Sequence, residues 1–315
     1  MTDRGMEAGG TLTIPETPPL PEGIAAAPER GERRIGLRVG MVILALITLV
    51  SIAAPLAAPK DPNRESVAGL GPNGGPQGPG LAWPLGTDAK GRDLMSRLIY
   101  GGRVTFGAAA IAIALATLIG LTIGLLAASS GGAGGSVLMR VTDIGLAIPG
   151  LLLAAALTSV LGSGVTSLIV ALVAVFWAPL ARVTYGQAVV IKERPFVDAA
   201  RSLGAGRTRI LLEEIAPHVL PILLAYSALC VGWAALFESS LGFLGLGVQE
   251  PTSSIGAMLG SGLAWYRLHP GLIIFPALYL GLFVTATTLI GEGLRKPRRR
   301  VAAPTTAPEL ELMSR

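Results

Sequence analysis

Charge is what this chain has little of. Asp, Glu, Lys and Arg make up only 14% of its 315 residues, against 51% hydrophobic, and its mean hydropathy is +0.62. A soluble globular domain carries about 25% charged residues, so the chain lacks the polar surface to cover a water-facing body. The two soluble domains that its length would permit are excluded by where the charges fall, at the two ends and in a few short blocks with long neutral stretches between. Aromatic residues are also scarce, at 5%, whereas Gly (42) and Pro (23) are abundant. That balance fits closely packed membrane helices better than a β-barrel with aromatic girdles. The single cysteine, Cys230, excludes an internal disulfide, and with two histidines it excludes a Cys/His metal cluster. Its neighbours Leu229, Val231 and Trp233 mark it as a packed thiol. No Gly-x-x-x-x-Gly-Lys-Ser/Thr run is present, so the chain does not bind ATP that way by itself. Paired carboxylates and a nucleophile–base set are missing too, which argues against an enzyme. The formal charge of +5 and pI of 9.7 read as membrane topology rather than as a nucleic-acid surface.

What is present is a series of neutral runs. A span takes about 20 apolar residues, and the run at 39–59 supplies the first; its length separates it from a removable signal peptide. The run from 104 to 139 is too long for one span and breaks at Ser129-Ser-Gly-Gly-Ala-Gly-Gly-Ser136, which gives a second span near 104–128. Gly162-Ser-Gly164 divides the next long run into spans at 137–161 and 165–187, and 215–237 and 268–291 complete the set. The expectation is an all-α integral membrane protein with six transmembrane helices within 36–295.

Six spans put both termini on one side. Arg30, Arg33, Arg34 and Arg38 precede the first span, and Arg295, Lys296, Arg298, Arg299 and Arg300 follow the last. With the basic stretch from Arg182 to Arg209, these regions are expected in the cytoplasm. Residues 60–102 are then external, although Lys60, Arg64, Lys90, Arg92, Arg97 and the adjoining Arg103 run against the rule. Residues 1–35, rich in Pro, read as a disordered cytoplasmic arm, and 296–315 as a basic cytoplasmic tail held near anionic lipid. Residues 61–84 read as a Gly/Pro-rich external loop. In 88–100, Leu94, Met95, Leu98 and Ile99 share a helical face and Asp93 lies four residues before Arg97, which predicts a short helix flat on the outer leaflet.

Gly120-x-x-x-Gly124 permits close helix approach, and Pro149, Pro179, Pro221 and Pro276 are candidate kinks. Asp143 and Arg182 fall at span ends and read as anchors. Glu238, beside a glycine-rich turn at the outer end of the fifth span, either orders backbone N–H groups or faces a receptor. His218 and His269 have no ligand set around them.

The stretch between the fourth and fifth spans, 192–217, carries the strongest signal. Pro195 suits the first turn of a helix and Gly204 the residue just past its end. Phe196, Val197, Ala200 and Leu203 make an apolar face on that helix; Ile210, Leu211 and Ile215 make another on a second helix leading to Pro217. Two helices this short are not stable alone in water. The pair either docks on a partner or rests on lipid.

Three blocks carry a family resemblance. Asp198-Ala199-Ala200, with Gly204 six residues after the acid and Ile215-x-Pro217 beyond, resembles the EAA loop of ABC importer permeases; Asp stands for the usual Glu and Ala216 for the usual Leu. Residues 85–105 look like the external segment of the dipeptide/oligopeptide/nickel subfamily, in its C-type subunit. Glu238-Ser-Ser-Leu-Gly-Phe-Leu-Gly-Leu-Gly247, with Pro251 and Gly256-Ala-Met-Leu259, is similar to that subfamily's loop between the last two spans, with Ile255 in place of its Trp. The resemblance covers about 35–295.

It implies a type I permease fold in a bacterial cytoplasmic membrane and a transport subunit with no catalytic site or cofactor of its own. It implies partners as well: a second homologous permease, two cytoplasmic ATPases that hold ATP and Mg, and an extracytoplasmic substrate-binding protein. On these terms Pro195, Phe196, Asp198, Ala199, Ala200, Leu203, Gly204, Ile215 and Pro217 form the coupling element that docks on the ATPase, and Asp88, Arg92, Asp93, Arg97 and Glu238 are candidate receptor-facing residues. The cargo implied is a di- or oligopeptide, with nickel chelates or another small solute as alternatives. A self-contained secondary transporter would call for internal symmetry and ionisable residues at mid-membrane, and neither is visible.

Overall fold

The computed structural model describes residues 30–295, with side chains from Arg34 onward. Most of the expected N-terminal arm and the tail at 296–315 lie outside the described residues. Within them the chain is helical, with two isolated bridges, Leu70–Pro76 and Thr87–Asp93, and no longer strand. In order, the helices are α1 (Arg30–Ile52), α2 (Ala54–Ala57), α3 (Leu94–Ser130), α4 (Gly132–Ala147), α5 (Gly150–Leu161), α6 (Val165–Lys192), α7 (Pro195–Ser202), the single turn α8 (Arg207–Arg209), α9 (Ala216–Phe243), α10 (Ile255–Gly262) and α11 (Gly271–Leu294). Five unbroken stretches are long and apolar enough to cross a membrane: Arg34–Ile52, Leu94–Ser130, Val165–Lys192, Arg207–Phe243 and Gly271–Leu294.

The expected third span is not one straight helix. It comes as α4 and α5, bent by 85°. Pro149 is the cause: the residue before a proline is pushed out of the helical region, and Ile148 sits at φ −82°, ψ 127°. Counted as one broken span, the pair brings the number to six. The Gly/Ser break falls where the sequence places it, with Gly131 between α3 and α4 and Gly132 opening α4, both at positive φ.

The flat helix expected at 88–100 is also corrected. Residues 94–100 are the first turns of α3, which runs unbroken for 37 residues, about 55 Å at 1.5 Å per residue. The apolar face that the pattern assigns to lipid is buried in protein: Leu94 packs with Met258 of α10 and Leu272 of α11. Asp93 caps this long helix, its Oδ2 accepting the Ser96 N–H at 2.8 Å.

In lipid, apolar side chains gain little by leaving the solvent, so helix association rests on close packing. The chain supplies it with glycine. A Cβ on Gly120 would lie 2.7 Å from the Leu180 Cβ, and one on Gly124 would lie 2.5 Å from the Thr184 Cβ, so the Gly-x-x-x-Gly pair is the α3 side of the seam with α6. On α1, Gly40 meets Ala286 and Leu289 of α11 in the same way. Phe106 of α3 stacks on Phe283 of α11 at 3.9 Å between centroids. Asp143 and Arg182, expected at span ends, lie within α4 and α6 and pair with each other, tying the two helices together. Pro179, Pro221 and Pro276 lie inside α6, α9 and α11.

Candidate functional site

Pro195 begins α7, and Arg194 before it is extended, as the residue preceding a proline must be. The helix ends in a Schellman turn: the Gly204 N–H donates to the Arg201 carbonyl at 3.0 Å and the Ala205 N–H to the Ala200 carbonyl at 3.1 Å. Gly204 sits at φ +86°, a conformation that glycine adopts without strain. Asp198 lies in the first turn, where a carboxylate complements the helix dipole, and accepts from Arg201 Nη1 at 2.9 Å.

The apolar face expected on α7 is divided in two. Val197 is 0% exposed and joins the main core, and Ala200 is half-buried. Phe196 (39% exposed) and Leu203 (88%) point outward, alongside exposed Pro195, Asp198, Ala199 and Gly204. One side of the helix is thus fastened to the protein, and the other offers an apolar patch around one carboxylate. Phe196 also packs near His218, their ring centroids 5.0 Å apart.

The second helix of the loop is more than a hairpin arm. From α8 the chain passes through a π-helical turn, Ile210–Ile215, directly into α9. The Ala216 N–H reaches back five residues to the Leu211 carbonyl. Pro217, one residue on, has no N–H to continue the ordinary ladder, and a widened turn accommodates its ring. The Glu214 carbonyl is met by His218 Nδ1 at 2.7 Å. Ile210 and Ile215 are buried and share the core cluster of Val197, while Pro217 is exposed. The loop is therefore joined to α9 both through the backbone and through side chains. Nothing in the apolar periodicity signals the π turn; Pro217 was its one visible cue.

On the opposite end of the spans, residues 58–93 fold back on the α9–α10 connection through charge. Asp88 Oδ2 pairs with Arg92 Nε at 2.7 Å and with Arg97 Nε at 3.3 Å. Arg97 Nη1 also donates to the Pro62 carbonyl at 3.1 Å, and Arg92 Nη2 reaches Glu250 at 2.7 Å. Lys90 joins Glu250 and lies 3.4 Å from Glu65. Hydrogen bonds from Arg92 outweigh partial burial and, with Lys90, hold the Glu250 carboxyl down to about 2. Lys60 stands 3.0 Å above the Trp83 ring. The basic residues that run against the topology rule in this segment are thus largely engaged within it.

The expectation that Asp88, Arg92, Asp93, Arg97 and Glu238 present themselves to a receptor is corrected by their burial. All five side chains lie inside the protein, Glu238 at 0% exposed. Four of them shape the loop. Glu238 sits under the start of α10, where Ser239 Oγ donates to its Oε2 at 3.2 Å and Thr105 and Ser254 lie close by. The Ile255 N–H donates to Thr105 Oγ1 at 3.1 Å, and Ser254 caps α10 by accepting from the Ala257 N–H. Gly242 and Gly256 allow α9 and α10 to touch, a Cβ on Gly242 lying only 2.9 Å from the Gly256 Cα. The glycine-rich block after Glu238 is therefore a packing device, and the connection between the last two spans contains a further helix, α10.

The family model described as "Binding-protein-dependent transport system inner membrane component" matches residues 120–300. The chain is 37% identical over 220 residues to the glutathione transport system permease protein GsiD of Pectobacterium atrosepticum, covering 70% of this chain and 73% of that one. It is 38% identical over 211 residues to the oligopeptide transport system permease protein OppC of Haemophilus influenzae, covering 67% and 68%. It is 35% identical over 257 residues to the di/tripeptide transport system permease protein DppC of Pseudomonas aeruginosa, covering 81% and 85%. With a family match over more than half its length, laid on a bundle of membrane-length helices, the chain belongs to the binding-protein-dependent transport system inner membrane components, the multi-pass permease subunits of ABC importers.

Proposed function

We propose that this chain is one of two homologous permeases forming the pore of an importer of di- or oligopeptides in a bacterial cytoplasmic membrane, with both termini in the cytoplasm. Two ATPase subunits bind below it and a substrate-binding protein above. The observation that carries the coupling role is α7: an exposed apolar patch of Phe196, Ala199 and Leu203 around Asp198, on a helix whose other side is anchored by buried Val197. A partner surface with an apolar cleft and a basic rim suits such a patch.

The ATPases supply the energy of ATP and Mg; this chain's part is to carry a displacement. Movement of α7 bears on Ile210 and Ile215 through the shared core and on α9 through the continuous backbone. In this reading α9 and its neighbours exchange two packed arrangements, open to one side or the other. The receptor contacts shift from the buried cluster to exposed groups of the loop that the cluster shapes, among them Glu65, Val67 and Leu81. Peptide cargo is favoured over nickel chelates because the similar proteins GsiD, OppC and DppC are named for glutathione, oligopeptide and di/tripeptide transport.

The test is reconstitution of the chain with its co-purifying subunits into proteoliposomes. The expected result is uptake of labelled di- or tripeptide that requires ATP, the ATPases and the binding protein. Uptake by this chain alone, driven by an ion gradient, would overturn the reading; ATP-driven uptake of nickel chelates but no peptide would overturn the cargo.

A further inference from the structure

Beside the root of α7, where α3 ends and α4 begins, lies a cavity of about 350 Å³. Its polar side is formed by Lys192, Arg201 and Arg207, and no carboxylate lines it. Its apolar side is Ile210, Leu211 and Ile215. Lys192 and Arg207 enter no ion pair among the described residues. Lys192 Nζ donates to the Ala128 carbonyl at 2.9 Å, and Arg201 gives one N–H to Asp198. An ammonium has three donors and a guanidinium five, so most of this donor capacity is unspent. Glu193 and Asp198 line an adjoining cavity that shares Lys192 and Arg201, so the excess positive charge centres on Lys192 and Arg207. Gly131, which also lines the cavity, is the N-cap of the 16-residue α4 and offers no side chain to its first-turn N–H groups.

The depth of the cavity matters as much as its charge. Lys192 is the last residue of α6 and Ser130 the last of α3, at the same ends of two spanning helices. Both helices are long and apolar enough to cross a membrane, so their shared end places the cavity toward one face of the bilayer rather than at its centre. We infer that the cavity holds the phosphate of an anionic phospholipid, with Lys192, Arg201 and Arg207 on the headgroup and the glycerol end of the acyl chains on Ile210, Leu211 and Ile215. Basic pockets at helix ends suit such headgroups, and charge-assisted hydrogen bonds to phosphate are the stronger class. A lipid seated there links the α3–α4 turn to the segment between α7 and α9, so the mobility of the coupling loop depends on lipid composition.

The experiment is native mass spectrometry of the full chain, with whatever subunits co-purify, offered phosphatidylglycerol and phosphatidylcholine at equal concentration. The wild type is expected to retain phosphatidylglycerol preferentially. Each cation near an anionic surface contributes about fivefold, so the double variant Lys192→Gln/Arg207→Gln should lose roughly 25-fold of that preference. Arg209→Gln, a neighbouring exposed residue paired with Glu213, should keep it. A salt titration of the wild type gives a second reading if the double variant does not fold: the preference should fall as ionic strength rises. Equal retention of the two lipids, an unchanged preference in a folded double variant, or a preference indifferent to salt would overturn the inference. Inorganic phosphate displacing the lipid at millimolar concentration would assign the cavity to a soluble anion and overturn the lipid assignment.

Discussion

At Glu250 two cations meet one carboxylate, and the loop from Lys60 to Asp93 is pinned there to the α9–α10 connection. The Arg92 hydrogen bond is the larger cause of its low value of about 2, with Lys90 adding to it. A carboxyl depressed below its ordinary value of 4.5 contributes fully above that value and loses its contribution as pH falls towards 2. The loop is therefore expected to stay latched throughout neutral and mildly acidic pH. Glu250→Gln should release it at all pH values, read as faster amide exchange over residues 61–84; exchange identical to wild type would contradict the latch. Gly204 is the second informative residue. At φ +86° a β-branched side chain is strained by about 1–3 kcal/mol. Gly204→Val should distort the end of α7 and reduce ATP-driven transport on the order of tenfold or more, while the chain still reaches the membrane. Transport at the wild-type rate would remove α7 from the coupling role. Both residues were legible to different degrees. The αL demand at Gly204 follows from its place after a helix, whereas Glu250 has no local pattern to distinguish it; its partners lie 158 and 160 residues away.

Among elements, the seam between α3 and α6 depends on two missing side chains. Gly124→Leu would force a branched side chain into Thr184 and the Ala181 carbonyl, where even a Cβ has only 2.5–2.7 Å. Overpacking of this kind costs about 1–3 kcal/mol, and more where backbone must move. A fall of several degrees in the unfolding temperature of the purified protein is expected, with Gly107→Leu, which has open space, as the silent comparison. Equal effects at both sites would contradict the seam. Length and hydropathy sufficed to place the spans, because a bilayer imposes about 20 apolar residues on any helix that crosses it. They did not suffice for direction. Whether Leu94 and Ile99 face lipid or protein depends on α10 and α11, which lie more than 150 residues later. The bend at Pro149 was legible as a candidate kink, but a proline alone does not announce the size of its bend, here 85°. Burial of Asp88, Arg92, Asp93 and Arg97 was not legible, since a run of charges reads as a solvated face until its partners are known.

At the scale of the whole molecule, the described residues divide into a cap knitted by ion pairs at one end, a bundle packed through glycine, and a short helical element at the other end fastened on one side only. That division matches what a permease must do between a binding protein and an ATPase. It assigns rigidity to the cap and leaves the exposed side of α7 for a partner. The central claim is that this exposed side is where the ATPase docks. The most direct test places a photo-crosslinking amino acid at Leu203, and separately at Val67 in the loop before α3, two highly exposed positions at opposite ends of the bundle. The account predicts that position 203 captures a P-loop ATPase in the working complex and that position 67 does not. Capture of the ATPase from position 67, or its failure from position 203 in a complex that still transports, would contradict it.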